Sequence, residues 1–220
     1  MLQYPQCHLC TTEPFEELEV YNSKRKKLTL TYCPIGNSPK NPTIAIIGFS
    51  PGPQQVKTYK KLVDQGTHPI EALSRAAFSG RLRKNLAEML QALYLPQILG
   101  FNNSEQIFQP ESLEEKIHLT SLVKCPAKID NKPKPFDPRY FPQTLICATI
   151  RFKRELPENS VKLFITLGKH VEEFFQSFYY NYPYIAIPHP SPANMRTIKS
   201  FLNDKQKLEK LRQQIGKYLS

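Results

Sequence analysis

Four short apolar runs separated by stretches of helical periodicity constrain this chain more than any other feature. Thr43-Ile44-Ala45-Ile46-Ile47, ended by Gly48, is β-branched and short enough to be a strand buried on both faces. Ile117 to Val123, Val161 to Leu167 and Tyr184 to Ile187 read the same way. Between them, from Ile70 to Leu95, Leu82, Leu86, Met89, Leu90 and Leu93 recur at helical spacing and predict one core-facing helix over that stretch. Val171 to Phe178 predicts a second helix. Asp204 to Leu219 predicts a third, charged and amphipathic, whose Leu208, Leu211 and Ile215 are expected to pack on the sheet rather than bind a partner. Strands alternating with helices imply an α/β fold of three layers, α/β/α, around a central, mainly parallel four-stranded sheet.

A length of 220 residues favours one domain, here 1–220, and 40% apolar with 11% aromatic residues is a folding composition. Residues 1–40 look like an arm laid on that domain, with Leu28 to Tyr32 alternating as a strand. Pro126 to Pro142 carries five prolines and is expected to be a pinned surface excursion without regular elements. No apolar run approaches the roughly 20 residues that span a bilayer, and the first residues lack a basic-then-apolar signal pattern. A cytoplasmic, reducing location with no membrane partner is expected, in which five cysteines serve as thiols or metal ligands rather than disulfides. Lys plus Arg exceed Asp plus Glu by 30 to 19, a formal charge of +11. That charge suits a polyanion and equally suits a soluble basic protein without one.

Ligands of parallel sheets bind beyond the carboxyl ends of the strands. Two unusual loops follow strands directly. Gly48-Phe49-Ser50-Pro51-Gly52 combines two glycines with a rigid proline, which lets backbone approach a ligand, although an ordinary strand-to-helix turn has the same composition. His189-Pro190-Ser191-Pro192-Ala193-Asn194 locks a histidine between a strand end and two prolines. Lys124-Cys125 and Gly168-Lys169 fall at the same edge.

These loops resemble the two signature motifs of the uracil-DNA glycosylase superfamily, which cuts damaged bases from DNA. Ile46 to Gly52 resembles the first motif and His189 to Asn194 the second. Ala77-Phe78-Ser79-Gly80 resembles the uracil-stacking segment, and Leu119 to Cys125 the Thr-Asn-Val-Val-Lys-Cys segment of the iron-sulfur (family 4-like) members. The resemblance implies a monomeric hydrolase, acting at the nucleoid on DNA that carries a deaminated base. His189 would stabilise charge on the departing base. Phe78 would stack on the extruded base, a contact worth about 1–3 kcal/mol on comparable platforms. The base pocket would comprise Gly48, Phe49, Pro51, Gly52, Phe78 and Ser121. Ser191, Pro192, Asn194, Lys169, Met195 and Arg196 would meet DNA, Met195 as a wedge and Arg196 on phosphate.

Two positions depart from the family. Its first loop usually carries Asp, Asn or Glu to handle the attacking water, whereas this one offers Phe49 and Ser50, and a serine hydroxyl is no general base at neutral pH. Such help is worth about 10²–10⁴ in rate, so its loss predicts a slow enzyme, a base supplied from elsewhere, or a DNA binder that no longer cuts. Ser121 replaces the asparagine that reads the uracil edge, which opens the selectivity to other lesions.

Cys7, Cys10, Cys125 and Cys147 match the order of the four thiolate ligands of the 4Fe-4S cluster in iron-sulfur members, with a long interval of 22 positions between the last two. Zinc is the rival occupant, since tetrahedral thiolate sites suit both. Cys33 is left over and reads as a buried thiol.

Overall fold

The centre of the molecule is a sheet in which three strands are buried at every position: β3 (Ile44–Gly48), β4 (Ile117–Ser121) and β7 (Leu163–Leu167). With β8 (Tyr184–Ile187) at one edge they run in the order β4-β3-β7-β8, every neighbouring pair parallel. The structure, a computed structural model, describes residues 15, 17–23, 26–130, 132–134, 147–156 and 160–219.

Helices α1 (Pro53–Asp64), α2 (Pro69–Ala76), α3 (Arg81–Ala92), α4 (Leu95–Ile98), α5 (Pro110–Glu115), α6 (Phe152–Glu155), α7 (Lys169–Phe178), α8 (Met195–Asn203) and α9 (Lys205–Leu219) complete the layers. The two-residue period of the strands splits the core in two. Ile44, Ile46, Leu163, Ile165 and Leu167 face Leu86, Met89 and Leu90 of α3, Ile198 of α8, and Leu208, Leu211 and Ile215 of α9. Ala45, Ile47 and Phe164 face Phe152 of α6 and Val171, Phe174 and Phe175 of α7. The apolar positions of the carboxyl-terminal helix thus lie on the sheet, as their spacing predicts. None of the described helices is long and apolar enough to cross a membrane.

Two expectations fail. The stretch Ile70 to Leu95 is not one helix: α2 and α3 are separated by residues 77–80, where Phe78 has φ 51° and Gly80 φ 76°. Left-handed backbone ends an α-helix, so the apolar phase that continues across the break belongs to two rods on the same core. The proline-rich excursion is not devoid of regular structure either. Ala127–Ile129 (β5) and Lys132–Lys134 (β6) join β1 (Glu17–Ser23) and β2 (Lys26–Thr31) in an antiparallel sheet of order β1-β2-β5-β6. Pro133 lies on the edge strand, where a missing N–H removes no interior ladder bond.

The predicted strand Ile117 to Val123 leaves the ladder at Ser121. Leu122 and Val123 still donate their N–H groups to the carbonyls of Gly48 and Phe49, both at 3.0 Å. This lays the end of β4 directly against the first loop.

Candidate active site

The first loop leaves β3 at Gly48, where any side chain would crowd the ring of Phe78. A Cβ at Gly48 would lie 3.0 Å from Cε1 of Phe78. The ring therefore rests on the strand backbone, and Phe78 is held in its left-handed conformation by a buried bond from its N–H to Oε1 of Gln55 on α1, 2.9 Å. Left-handed geometry at a bulky residue costs of the order of 1–3 kcal/mol, which its surroundings must offset. Gly52, by contrast, has open space where a Cβ would stand and caps α1 with φ −90°, so its backbone borders free volume.

Ser50, Pro51, Gln55, Phe78, Thr120 and Ser121 surround a cavity of about 10 Å³. That is room for about one water. The Ser121 hydroxyl is buried and has no hydrogen-bond partner among the described residues. A nucleobase does not fit in this space. The cavity adjoins a cleft of about 520 Å³, bordered by Phe49, Ser50, Pro51, Gly52, His170 and His189 on one side and by the antiparallel sheet on the other. Volumes of this order suit a small-molecule or nucleobase ligand. A more open groove of about 1140 Å³ continues from His189 past Lys169, the edge strand β8 and α9.

His189 is positioned from three directions. Its Nδ1 accepts the backbone N–H of Ser191 at 3.2 Å, its carbonyl accepts Nδ2 of Asn194 at 3.2 Å, and its Cβ packs against Gly168, where a further Cβ would stand 2.8 Å away. Burial pushes its pKa below the ordinary histidine value, so the ring is neutral at neutral pH. With Nδ1 occupied as an acceptor, the proton of the neutral ring is on Nε2. The next residue, Pro190, gives its carbonyl to Nδ2 of buried Asn85 on α3 at 2.9 Å. The same amide lies 3.4 Å from Sδ of Met195.

Beneath β4 lies a buried ionic cluster. Glu155 pairs with Arg151 and, at 3.6 Å, with Lys124, while Lys124 also donates to Thr120 Oγ1 at 2.9 Å. Burial alone would raise the Glu155 carboxyl, but the two cations outweigh it and hold the pKa at about 2. Arg151 Nη2 donates to the carbonyls of Ser121 and Leu122, both at 3.0 Å. The strand end that carries Ser121 is therefore pinned by a guanidinium from another segment.

The remaining predicted residues are distributed as follows. Lys169 is exposed on the first turn of α7 and 3.6 Å from Glu173. Pro192 and Arg196 are exposed, and Met195 is half-buried and packed against the core. Cys125 is buried beside Leu30 and Tyr32, whereas Cys33 is buried in the opposite core, its thiol pushed up to about 12. Cys7 and Cys10 lie outside the described residues, and of Cys147 only the backbone is described, at the start of the turn Cys147–Arg151. Among the described side chains no three His, Cys, Asp or Glu residues gather as a metal site.

Sequence reasoning did not find Gln55, Asn85, Arg151 or Glu155, and it placed Gly168 at this edge without its contact to His189. Only Asn85 left a signal: it is a polar residue in phase with Leu82, Leu86 and Met89 on the buried face of α3.

A parallel α/β sheet with two loops converging at its carboxyl edge defines the class of protein. The sequence matches the model of the uracil DNA glycosylase superfamily over residues 35–215, and the chain belongs to that family. It is similar to an uncharacterized protein of Bacillus subtilis (strain 168), YoxB, with 29% identity over 189 residues, covering 78% of this chain and 73% of the relative. Among solved structures it is similar to a mutant of the UNG structure from Nitratifractor salsuginis, at 14% identity and a TM-score of 0.34, covering 81% of this chain and 73% of that one.

Proposed function

We propose that this chain is a DNA glycosylase that hydrolyses the N-glycosidic bond of uracil or another deaminated base. The observation that carries the reading is the orientation of the His189 ring at the cleft. Its Nδ1 is engaged by the Ser191 N–H, which leaves Nε2–H as a fixed donor on a ring that borders the cleft. A neutral donor aimed at developing negative charge stabilises the transition state more than the ground state. Phe78 would stack on the extruded base, Ser121 would offer its unpaired hydroxyl to the base edge, and Arg196, Lys169, Ser191, Pro192 and Asn194 would meet the DNA backbone. Met195 is the candidate for filling the gap in the stack.

The test is release of a free base from single- and double-stranded oligonucleotides bearing uracil, hypoxanthine or xanthine. His189→Ala should abolish release, and full activity in that variant would overturn the assigned role. A second reading, a DNA-binding member that does not cut, is favoured by one observation: the first loop contains no carboxylate or amide side chain. Binding to lesion-bearing DNA without release of any base would establish it.

We further propose a 4Fe-4S cluster on Cys7, Cys10, Cys125 and Cys147, with zinc as the alternative occupant. Its effect would be to tie the amino-terminal arm to the segment between Cys125 and Cys147. The reading places a monomeric protein in the cytoplasm, on the nucleoid.

A further inference from the structure

We propose that His170, braced by Glu173, is the general base that activates the attacking water in this cleft, taking the place of a first-loop carboxylate. The inference rests on the glycosylase reading and deepens it. It follows from asking which described side chains around the cleft can accept a proton. Ser50 is a hydroxyl, and serine is no base at neutral pH. Cys33 is held as a thiol by burial, which raises its pKa to about 12. Lys60 and Lys128 border the cleft, and an ammonium group has no lone pair to offer. Glu17, across the cleft, is half-exposed and ion-paired to Lys128. His189 has Nδ1 on the Ser191 N–H and Nε2–H committed to the leaving base. His170 remains.

The placement of His170 fits the task. It is the second residue of α7, and it borders both the cleft and the adjoining groove together with His189 and Phe49. Its ring lies 6.1 Å from that of Phe49, centroid to centroid. Nδ1 is 3.9 Å from Oε2 of Glu173 one turn along the helix. At that distance the pair is an electrostatic contact rather than a hydrogen bond. The carboxylate faces Nδ1, which leaves Nε2 as the accepting atom. The charged and titratable groups around it are Lys169, Glu172 and Glu173 on its own helix, His189 from the second loop, Glu17, Lys60 and Lys128 across the cleft, and Asp204, Lys207 and Lys210 along the groove.

In the step itself, the water oxygen forms a bond to C1′ of the deoxyribose and its proton passes to Nε2 of His170. The C1′–N bond breaks, and its electron pair leaves on the base, whose growing charge is met by His189 Nε2–H. The base is then protonated from solvent, and the His170 imidazolium returns its proton to solvent. No oxidant, reductant or further reactant is required.

The experiment is single-turnover base release by wild type, His170→Gln, Glu173→Gln and His189→Ala at neutral pH. The His170 side chain is 58% exposed, so its removal should leave the melting temperature unchanged. His170→Gln is expected to slow release by about 10²–10⁴ and to leave DNA affinity intact. Added imidazole should restore part of the rate to His170→Ala. Release by His170→Gln at the wild-type rate, with His189→Ala inactive, would overturn the role of His170 and leave the glycosylase reading standing. Absence of release by the wild type from every lesion would overturn that reading and this inference with it.

Discussion

A Cβ on Gly168 would stand 2.8 Å from the Cβ of His189, so the residue that follows β7 sets the position of the histidine beyond β8. The contact is fixed by the sheet, since Gly168 donates its N–H to the carbonyl of Ile187 at 2.9 Å. Gly168 also has φ 88°, a conformation that L side chains rarely adopt. Gly168→Ala is expected to cost about 1–3 kcal/mol of stability. Displacing His189 by the order of 1 Å should slow base release by up to about 10²-fold. Thermal unfolding and single-turnover release on the same preparation would check both, and an unchanged rate would show that the loop accommodates the methyl group.

Gln55 and Phe78 form the second such pair. Replacing Gln55 with Leu leaves the buried N–H of Phe78 without its acceptor, at an expected cost of about 1–3 kcal/mol. Gln55→Glu keeps an oxygen in place and should lose much less. The urea midpoints of the two variants should therefore separate, and equal midpoints would remove Gln55 from the account of how Phe78 is held.

His118 makes stability depend on pH. It is 2% exposed on β4, and neither ring nitrogen has a hydrogen-bond partner among the described residues. Burial pushes its pKa down from 6.5 to about 4; the nearby Glu155 opposes the shift, and Lys124 and Arg151 add to it. Between those values the unfolded chain binds the proton and the folded chain does not. The stability contribution of the neutral ring is therefore complete above pH 6.5 and is lost as pH falls through the window toward 4. The slope from this one group reaches about 1.4 kcal/mol per pH unit. Urea unfolding at intervals from pH 7 to 4 should show it, and His118→Leu should flatten it.

The thiolate proposal has a visible readout. Protein purified without oxygen should be brown and lose its colour in Cys125→Ser if the four cysteines hold a 4Fe-4S cluster. A colourless protein carrying one equivalent of zinc would establish the alternative occupant.

Much of the fold was legible because its signals are local. The β-branched run before Gly48 and the alternation of strand and helix predict the central sheet, and the stripe Leu208, Leu211, Ile215 predicts a helix that lies on it. The break between α2 and α3 was not legible. The apolar phase carries through it, and the left-handed turn at Phe78 depends on Gln55, 23 positions away. The antiparallel strands of residues 127–134 were hidden by proline, which discourages strands in general but is harmless on an edge.

The order of residues by itself determined that the chain would build a parallel sheet and that its glycine-rich and histidine loops would emerge together at the carboxyl edge, because strand period, strand length and βα connectivity are properties of neighbouring residues. Tertiary structure alone decided which polar groups meet there. Asn85 reaches Pro190 across 105 positions, Arg151 reaches Ser121 across 30, and Gly168 yields to His189. Hydrogen bonds and close contacts between distant segments leave no periodicity in a sequence; they exist only once hydrophobic burial has brought those segments to one place.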